Sequence, residues 1–389
     1  MRLRLLIAAL MLAVALLLLP QFLADYAQDY AAAHAWWRGL DPNGRTAALL
    51  AECCPDIAPS YGGMQTAHPP LATLLALPFA ALPWPAARIA WLLTAWAAIL
   101  AAWLLLRADP LTCAATAPLW VIALGLGTHE PLLFLLFALV LRYDTLQAPA
   151  SRPNTIAEPR NHGTSEQRQP SNVLRLVWLQ GNDSGRYSVG VLVGLAAALK
   201  VYPIVLIAGL LIAGRRAQAT IALATGAAVL MLCELVLGFG ATLGWLRFQP
   251  INTQFYIDSI DNGSLVRLVR AVLPSAPVAL VAAGILVLFA LPLLPRIRSG
   301  DWLRPLVPVM LLGSPLSWRH YMGMLAVDRL GRLEQVALAL AGTVALLIGM
   351  QMLPADNMAP VVQGPLLLVL LWRWYQASRA SSIKQIAKP

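Results

Sequence analysis

Asp25 and Asp29 are two carboxylates four residues apart, directly after a long apolar run from Leu5 to Leu23. On a helix from Tyr26 to Arg38 this spacing sets both on one face, one turn apart. A carboxylate at the mouth of a membrane helix can take a proton from a hydroxyl. It can equally be the solvated end of a juxtamembrane helix, and this stretch alone leaves both readings open. Tyr30, His34, Trp36 and Trp37 give the same segment a surface that seeks the membrane interface. Further along stand the cations. Lys200 lies between GLAAALK and VYPIVLIAGL with no polar cover in sequence. A lysine facing lipid at the bilayer centre costs about 2.5–3.5 kcal/mol, a cost removed by a wet cavity or an anion. Arg267 and Arg270 share a face if NGSLVRLVRAVL is helical, and Arg319 and His320 sit in the polar knot SPLSWRHYMGM. His68, His129 and Glu130 complete the set of chemically able side chains. Cations beside one or two acids can neutralise a phosphate leaving group while a carboxylate accepts the proton of an attacking hydroxyl. Each feature also has a plain structural reading: a snorkelling lysine, a solvated basic face, an aromatic anchor.

These residues must be positioned by a membrane bundle. Of 389 residues, 59% are hydrophobic and 12% charged, and the mean hydropathy of +0.69 excludes a soluble fold. The net charge of +10 is dominated by arginines clustered between apolar runs. That is the positive-inside pattern, and it argues against a nucleic-acid partner. Cys53, Cys54, Cys113 and Cys233 show no metal-ligand spacing, and adjacent Cys53 and Cys54 make a poor disulfide. The N-terminal apolar run lacks a small-residue cleavage site, so a retained anchor is expected. No cofactor is expected, and no metal, because no carboxylate cluster is legible on the outer side.

Arg2 and Arg4 place the N-terminus in the cytoplasm, and the first helix carries Asp25 across. Residues 24–85 form an extracytoplasmic loop with juxtamembrane helices. Its proline-broken stretch HPPLATLLALPFAALPWP is expected to be immersed without crossing. Apolar hairpins follow, with Thr128-His129-Glu130 and Lys200-Val201-Tyr202-Pro203 at outer turns. Residues 145–187, rich in Pro, Ser, Asn, Gln and Arg, read as a disordered cytoplasmic insertion. Residues 238–275 read as a second outer loop. The pattern predicts an all-α polytopic protein of about 12 crossings in one domain over residues 1–389, with both termini inside. Several hairpin arms of roughly 10–13 residues are too short to span lipid alone. They must be buried in the bundle with their polar turns recessed.

Taken in order, Asp25 to Pro42 (DYAQDYAAAHAWWRGLDP), His68 to Pro83, GLAAALKVYP, NGSLVRLVR and SPLSWRHY resemble glycosyltransferase family 87. These are the polyprenyl-phosphate-mannose-dependent mannosyltransferase-like proteins of the GT-C superfamily. The resemblance implies an extracytoplasmic active site in the bacterial inner membrane and a GT-C-type bundle. It also implies inverting transfer of a hexose, mannose-type, from a polyprenyl-phosphate donor to a hydroxyl on a glycolipid or polysaccharide. By the same resemblance Asp25 would be the general base, and Lys200 and His320 would contact the donor's phosphate or sugar. Arg270 matches the family's element with looser spacing. Arg267 and Arg319 would add donor contacts, with Asp29, His68, His129 and Glu130 as additional site residues. A flippase of lipid-linked saccharides would use the same cations for binding without chemistry, and a non-catalytic envelope-polysaccharide scaffold would need neither.

Overall fold

The computed structural model describes residues 1–18, 24–55, 66–147, 184–257, 262–350, 352 and 355–386. The described residues are helical throughout, with one isolated antiparallel bridge between Asn262 and Trp318. The helices run α1 Arg2–Leu18, α2 Ala24–Trp37, α3 Thr46–Cys53, α4 Pro70–Ala80, α5 Trp84–Leu105 and α6 Pro110–Leu126. They continue as α7 Glu130–Gln147, α8 Ser184–Leu199, α9 Val205–Ile212, α10 Arg216–Leu237, α11 Ala241–Ile257 and α12 Leu265–Val272. The last are α13 Val278–Ala290, α14 Leu294–Arg298, α15 Leu303–Gly313, α16 Arg332–Gly349 and α17 Ala355–Ile386. A 3-10 turn, Tyr202–Ile204, joins α8 to α9, and a longer 3-10 helix, Arg319–Val327, follows α15. The expected insertion at residues 145–187 lies, apart from its helical ends, outside the described residues.

Among the described residues, four helical spans are long and apolar enough to cross a membrane: Trp84–Leu105, Arg216–Leu237, Val278–Arg298 and Arg332–Gly349. Twelve crossings therefore remain an expectation of the sequence, while the membrane character is plain. The shorter apolar helices behave as their length requires. Every residue of α15 from Pro305 to Gly313 is buried, as is the 3-10 helix from His320 to Val327. Within residues 24–85 the described residues form the short helices α2, α3 and α4, with α2 packed on α4. Within residues 238–275 the described residues form α11 and α12, with Gly244 and Pro250 absorbed inside α11. Ser264 caps α12 by accepting a hydrogen bond from Arg267 N at 3.1 Å.

Polar pairings sort to two ends of the bundle. At one end Arg4 Nη2 donates to Arg107 O at 3.3 Å, Arg215 pairs with Asp144, Arg296 with Asp301, and Arg373 with Asp328 and Glu334. The sequence assigns all of these to one face. Among the described residues, Lys200, His68, His129 and His320 pair with Asp29 and Glu130. Between the two groups lies an apolar layer in which Leu119, Trp120, Leu124, Leu133, Phe134 and Phe137 are fully buried.

The helix that presents Lys200 is held by an unusually close approach. A Cβ on Gly190 would come within 2.6 Å of Gln218 O, and one on Gly194 within 2.4 Å of Ala222 O. Gly190 and Gly194 are four apart, the small-residue spacing that lets apolar helices touch backbone to backbone. Gly194→Val is therefore expected to force α8 off α10 at a cost of about 1–3 kcal/mol or more. A lowered midpoint of thermal unfolding in detergent checks this; an unchanged midpoint would refute the contact.

Candidate active site

Asp25 is the second residue of α2, and its carboxylate is half-buried. Burial lifts its pKa above the ordinary carboxylate value; His68 and Lys200 draw it back down, while Glu130 and Asp29 push it further up. Five ionisable groups from four separate stretches of chain thus share one electrostatic neighbourhood. Asp25 and Lys200, 175 residues apart in sequence, lie on the same side of the apolar layer.

One turn further along α2, Asp29 is fully buried. His68 Nδ1 meets its Oδ2 at 2.7 Å, His129 Nε2 approaches the same oxygen at 3.7 Å, and Thr66 Oγ1 lies 3.5 Å from Oδ1. Desolvation pushes the Asp29 carboxyl up to about 7, against the pull of His129 and Lys200. Desolvation also presses the His68 imidazole down to about 4, helped by the Lys200 charge. Between about pH 4 and 7 this pair is an uncharged acid against an uncharged ring. His68 is fixed from behind: Gln28 Oε1 accepts from Ala67 N at 2.8 Å, and Gln249 Nε2 donates to Ala67 O at 2.9 Å.

Lys200 stands just past the C-terminus of α8, where the chain turns into Tyr202-Pro203. Its Nζ is 3.3 Å from Glu130 Oε1 and lies over the Tyr321 ring at 5.6 Å. Glu130, fully buried at the start of α7, presents its other oxygen to His320 Nε2 at 3.7 Å. The anion expected to satisfy the lysine is thus an internal glutamate. Tyr321 and Tyr202 pack against each other beside it, with ring centroids 5.5 Å apart.

The segment carrying Arg319 and His320 is held by one asparagine. Asn262 Oδ1 accepts from Ser264 N at 3.1 Å and Ser317 N at 3.0 Å, while its Nδ2 donates to Ile257 O and Pro315 O. Arg319 lies close enough to His320 to bear on its charge. Arg267 and Arg270 are placed differently from Lys200. The Arg267 guanidinium donates to Asn262 O and Gln363 Oε1, and Arg270 Nη2 donates to Pro274 O at 3.2 Å. Arg270 keeps Nε and Nη1 without a hydrogen-bond partner. Among the described residues, neither arginine makes an ion pair with Asp25, Asp29 or Glu130.

Reading the residues in order does not single out Tyr202, Tyr321 and Asn262 as parts of the site, nor α11 as its cover. Asn262 carried a signal, since Asn-Gly-Ser before an apolar helix is cap chemistry. The covering role of α11 carried none: Trp245 and Gln249 reach Ala67 O, and Tyr256 near its end feels the Asp25 charge. A narrow cleft of about 20 Å³, lined by Thr66, His68, Thr73, Ala241 and Trp245, leads in beside His68.

Chemically, this arrangement offers a desolvated carboxylate beside a lysine and an imidazole, enclosed by aromatic rings. No curated protein and no solved structure matches the chain. Residues 173–315, which carry Lys200, Asn262, Arg267, Arg270 and the whole of α8 to α15, match the model of glycosyltransferase family 87.

Proposed function

We propose that the protein transfers a hexose, mannose-type, from a polyprenyl-phosphate donor to a hydroxyl on a glycolipid or polysaccharide, with inversion. The observation that carries this reading is the shared neighbourhood of Asp25, Lys200 and His68 on one side of the apolar layer. The acceptor O–H gives its proton to the Asp25 carboxylate as its oxygen attacks the anomeric carbon. The bond from that carbon to the phosphate oxygen breaks, and polyprenyl phosphate leaves with the electron pair. Lys200 faces the departing phosphate with its positive field, which it shares with Glu130, and His320 faces it with its imidazole. Arg319 adds to that field, and Arg267 and Arg270 line the donor's approach, Arg270 through its two unpartnered nitrogens. Site and termini are proposed to lie on opposite sides of a bacterial inner membrane, the site outside.

Incubating the purified protein in lipid nanodiscs with labelled polyprenyl-phosphate hexoses and pentoses tests the reading. Transfer from a polyprenyl-phosphate hexose supports it; transfer only from nucleotide sugars overturns it. A pH profile adds a second check. Desolvation raises the Asp25 pKa, and a general base works only when ionised. Activity is therefore expected to rise with pH through a limb lying above the ordinary carboxylate value of 3.8. A limb at or below that value would remove Asp25 from the role.

A further inference from the structure

Asp29, His68 and His129 carry no chemical step in the transfer reading. Their donor atoms all lie within 4.8 Å of one another and all three side chains are buried. They come from three separate places: α2, the turn before α4, and the turn before α7. We propose that Asp29, His68 and His129 bind one divalent transition-metal ion of the zinc type.

Four observations carry this. The donor set is one carboxylate and two imidazoles, the combination that suits zinc and its neighbours and does not suit calcium or magnesium. The geometry is close to that needed. Bonds of about 2.0–2.1 Å set tetrahedral donors roughly 3.4 Å apart, and His129 Nε2 lies 3.7 Å from Asp29 Oδ2. His68 Nδ1 at 2.7 Å is in hydrogen-bond contact with the same carboxylate. The ion would take the place of the proton between them, and about 0.7 Å of movement, shared between the two side chains, would open that pair. His129 is the third observation. It is fully buried, and neither ring nitrogen has a hydrogen-bond partner. A buried imidazole left so is costly, and a ligated ion would satisfy the Nε2 that faces Asp29. The last is access. The cleft of about 20 Å³ beside His68 and Thr66 admits a body the size of a water or an ion, and excludes a sugar.

Such an ion would tie α2 to the turns before α4 and α7, one helical turn from Asp25. Its role is to position that turn, and it stands whether or not Asp25 is a general base.

The test uses the full chain in detergent, stripped with a chelator and then titrated with Co²⁺. The expected result is one equivalent of cobalt with the intense visible bands of four- or five-coordinate nitrogen–oxygen ligation. Asp29→Asn and His129→Gln should each abolish those bands, and zinc should bleach them in the wild type. Zinc should also raise the thermal midpoint of the wild type and leave that of folded variants unchanged. Weak six-coordinate bands in the wild type, or no bound cobalt, would overturn the proposal without recourse to any variant. So would sulfur-to-cobalt charge-transfer bands, which would move the ion to the free cysteines. Glycosyl transfer is a separate measurement, so loss of one reading leaves the other intact.

Discussion

Asp25→Asn is expected to lower transfer by about 10²–10⁴-fold, the usual contribution of a positioned general base, while donor binding stays near that of the wild type. The amide keeps the size of the carboxylate and its half-buried place at the start of α2. What it loses is the ability to accept a proton. The lysine and imidazole proposed to face the phosphate lie on other elements and are untouched. Binding of labelled donor and single-turnover transfer, measured on the same preparation, separate the two effects. A variant that neither binds nor transfers would assign Asp25 to donor recognition. A variant that still transfers at the wild-type rate would transfer the role to Asp29. A flippase would be largely indifferent to the change.

The second large effect concerns stability and activity together. Lys200→Met is expected to destabilise the protein by about 3–5 kcal/mol, because it strands a buried carboxylate. Glu130 is fully buried and Lys200 nearly so, with 3.3 Å between charges. Glu130→Gln should cost a similar amount by stranding the lysine. Joined in one chain, the two changes should recover most of that loss, since a buried pair replaced by apolar or neutral groups is often close to neutral. Activity should not return with it, because the proposed phosphate contact is gone. Thermal midpoints of the two single variants and the double variant complete the cycle. Additive losses would show that the pair is not coupled. Full activity in the double variant would show that Lys200 serves only Glu130.

Much of this architecture could be read from residue patterns. The long apolar runs became α5, α10, α13 with α14, and α16, because length and composition alone decide what can span a bilayer. Asp25 at a helix mouth and Lys200 at a helix end were visible because a charge beside an apolar run needs a reason. What could not be read was who meets whom. Asp29 and His68 are 39 positions apart and on different elements, so no spacing rule links them. The sequence suggested no metal donors for the same reason: the three candidates become neighbours only after α2, α4 and α7 pack. Glu130 was visible as an acid at a turn, but its alignment between Lys200 and His320 depends on the buried 3-10 helix. Polar content and Pro250 made α11 resemble a loop, whereas packing over Ala67 makes it a covering helix. The twelve expected crossings rest on short arms whose burial is visible and whose passage through lipid is not.

The layer of Leu119, Trp120, Leu124, Leu133, Phe134 and Phe137 has an electrical consequence. The proposed placement in a bacterial inner membrane would set acids and imidazoles on one side of a proton gradient and arginine–carboxylate pairs on the other. Such groups, if chained together by water, would conduct. Fully buried apolar side chains offer no relay for a hopping proton, so the protein can keep reactive charges deep within itself without discharging the cell that makes it.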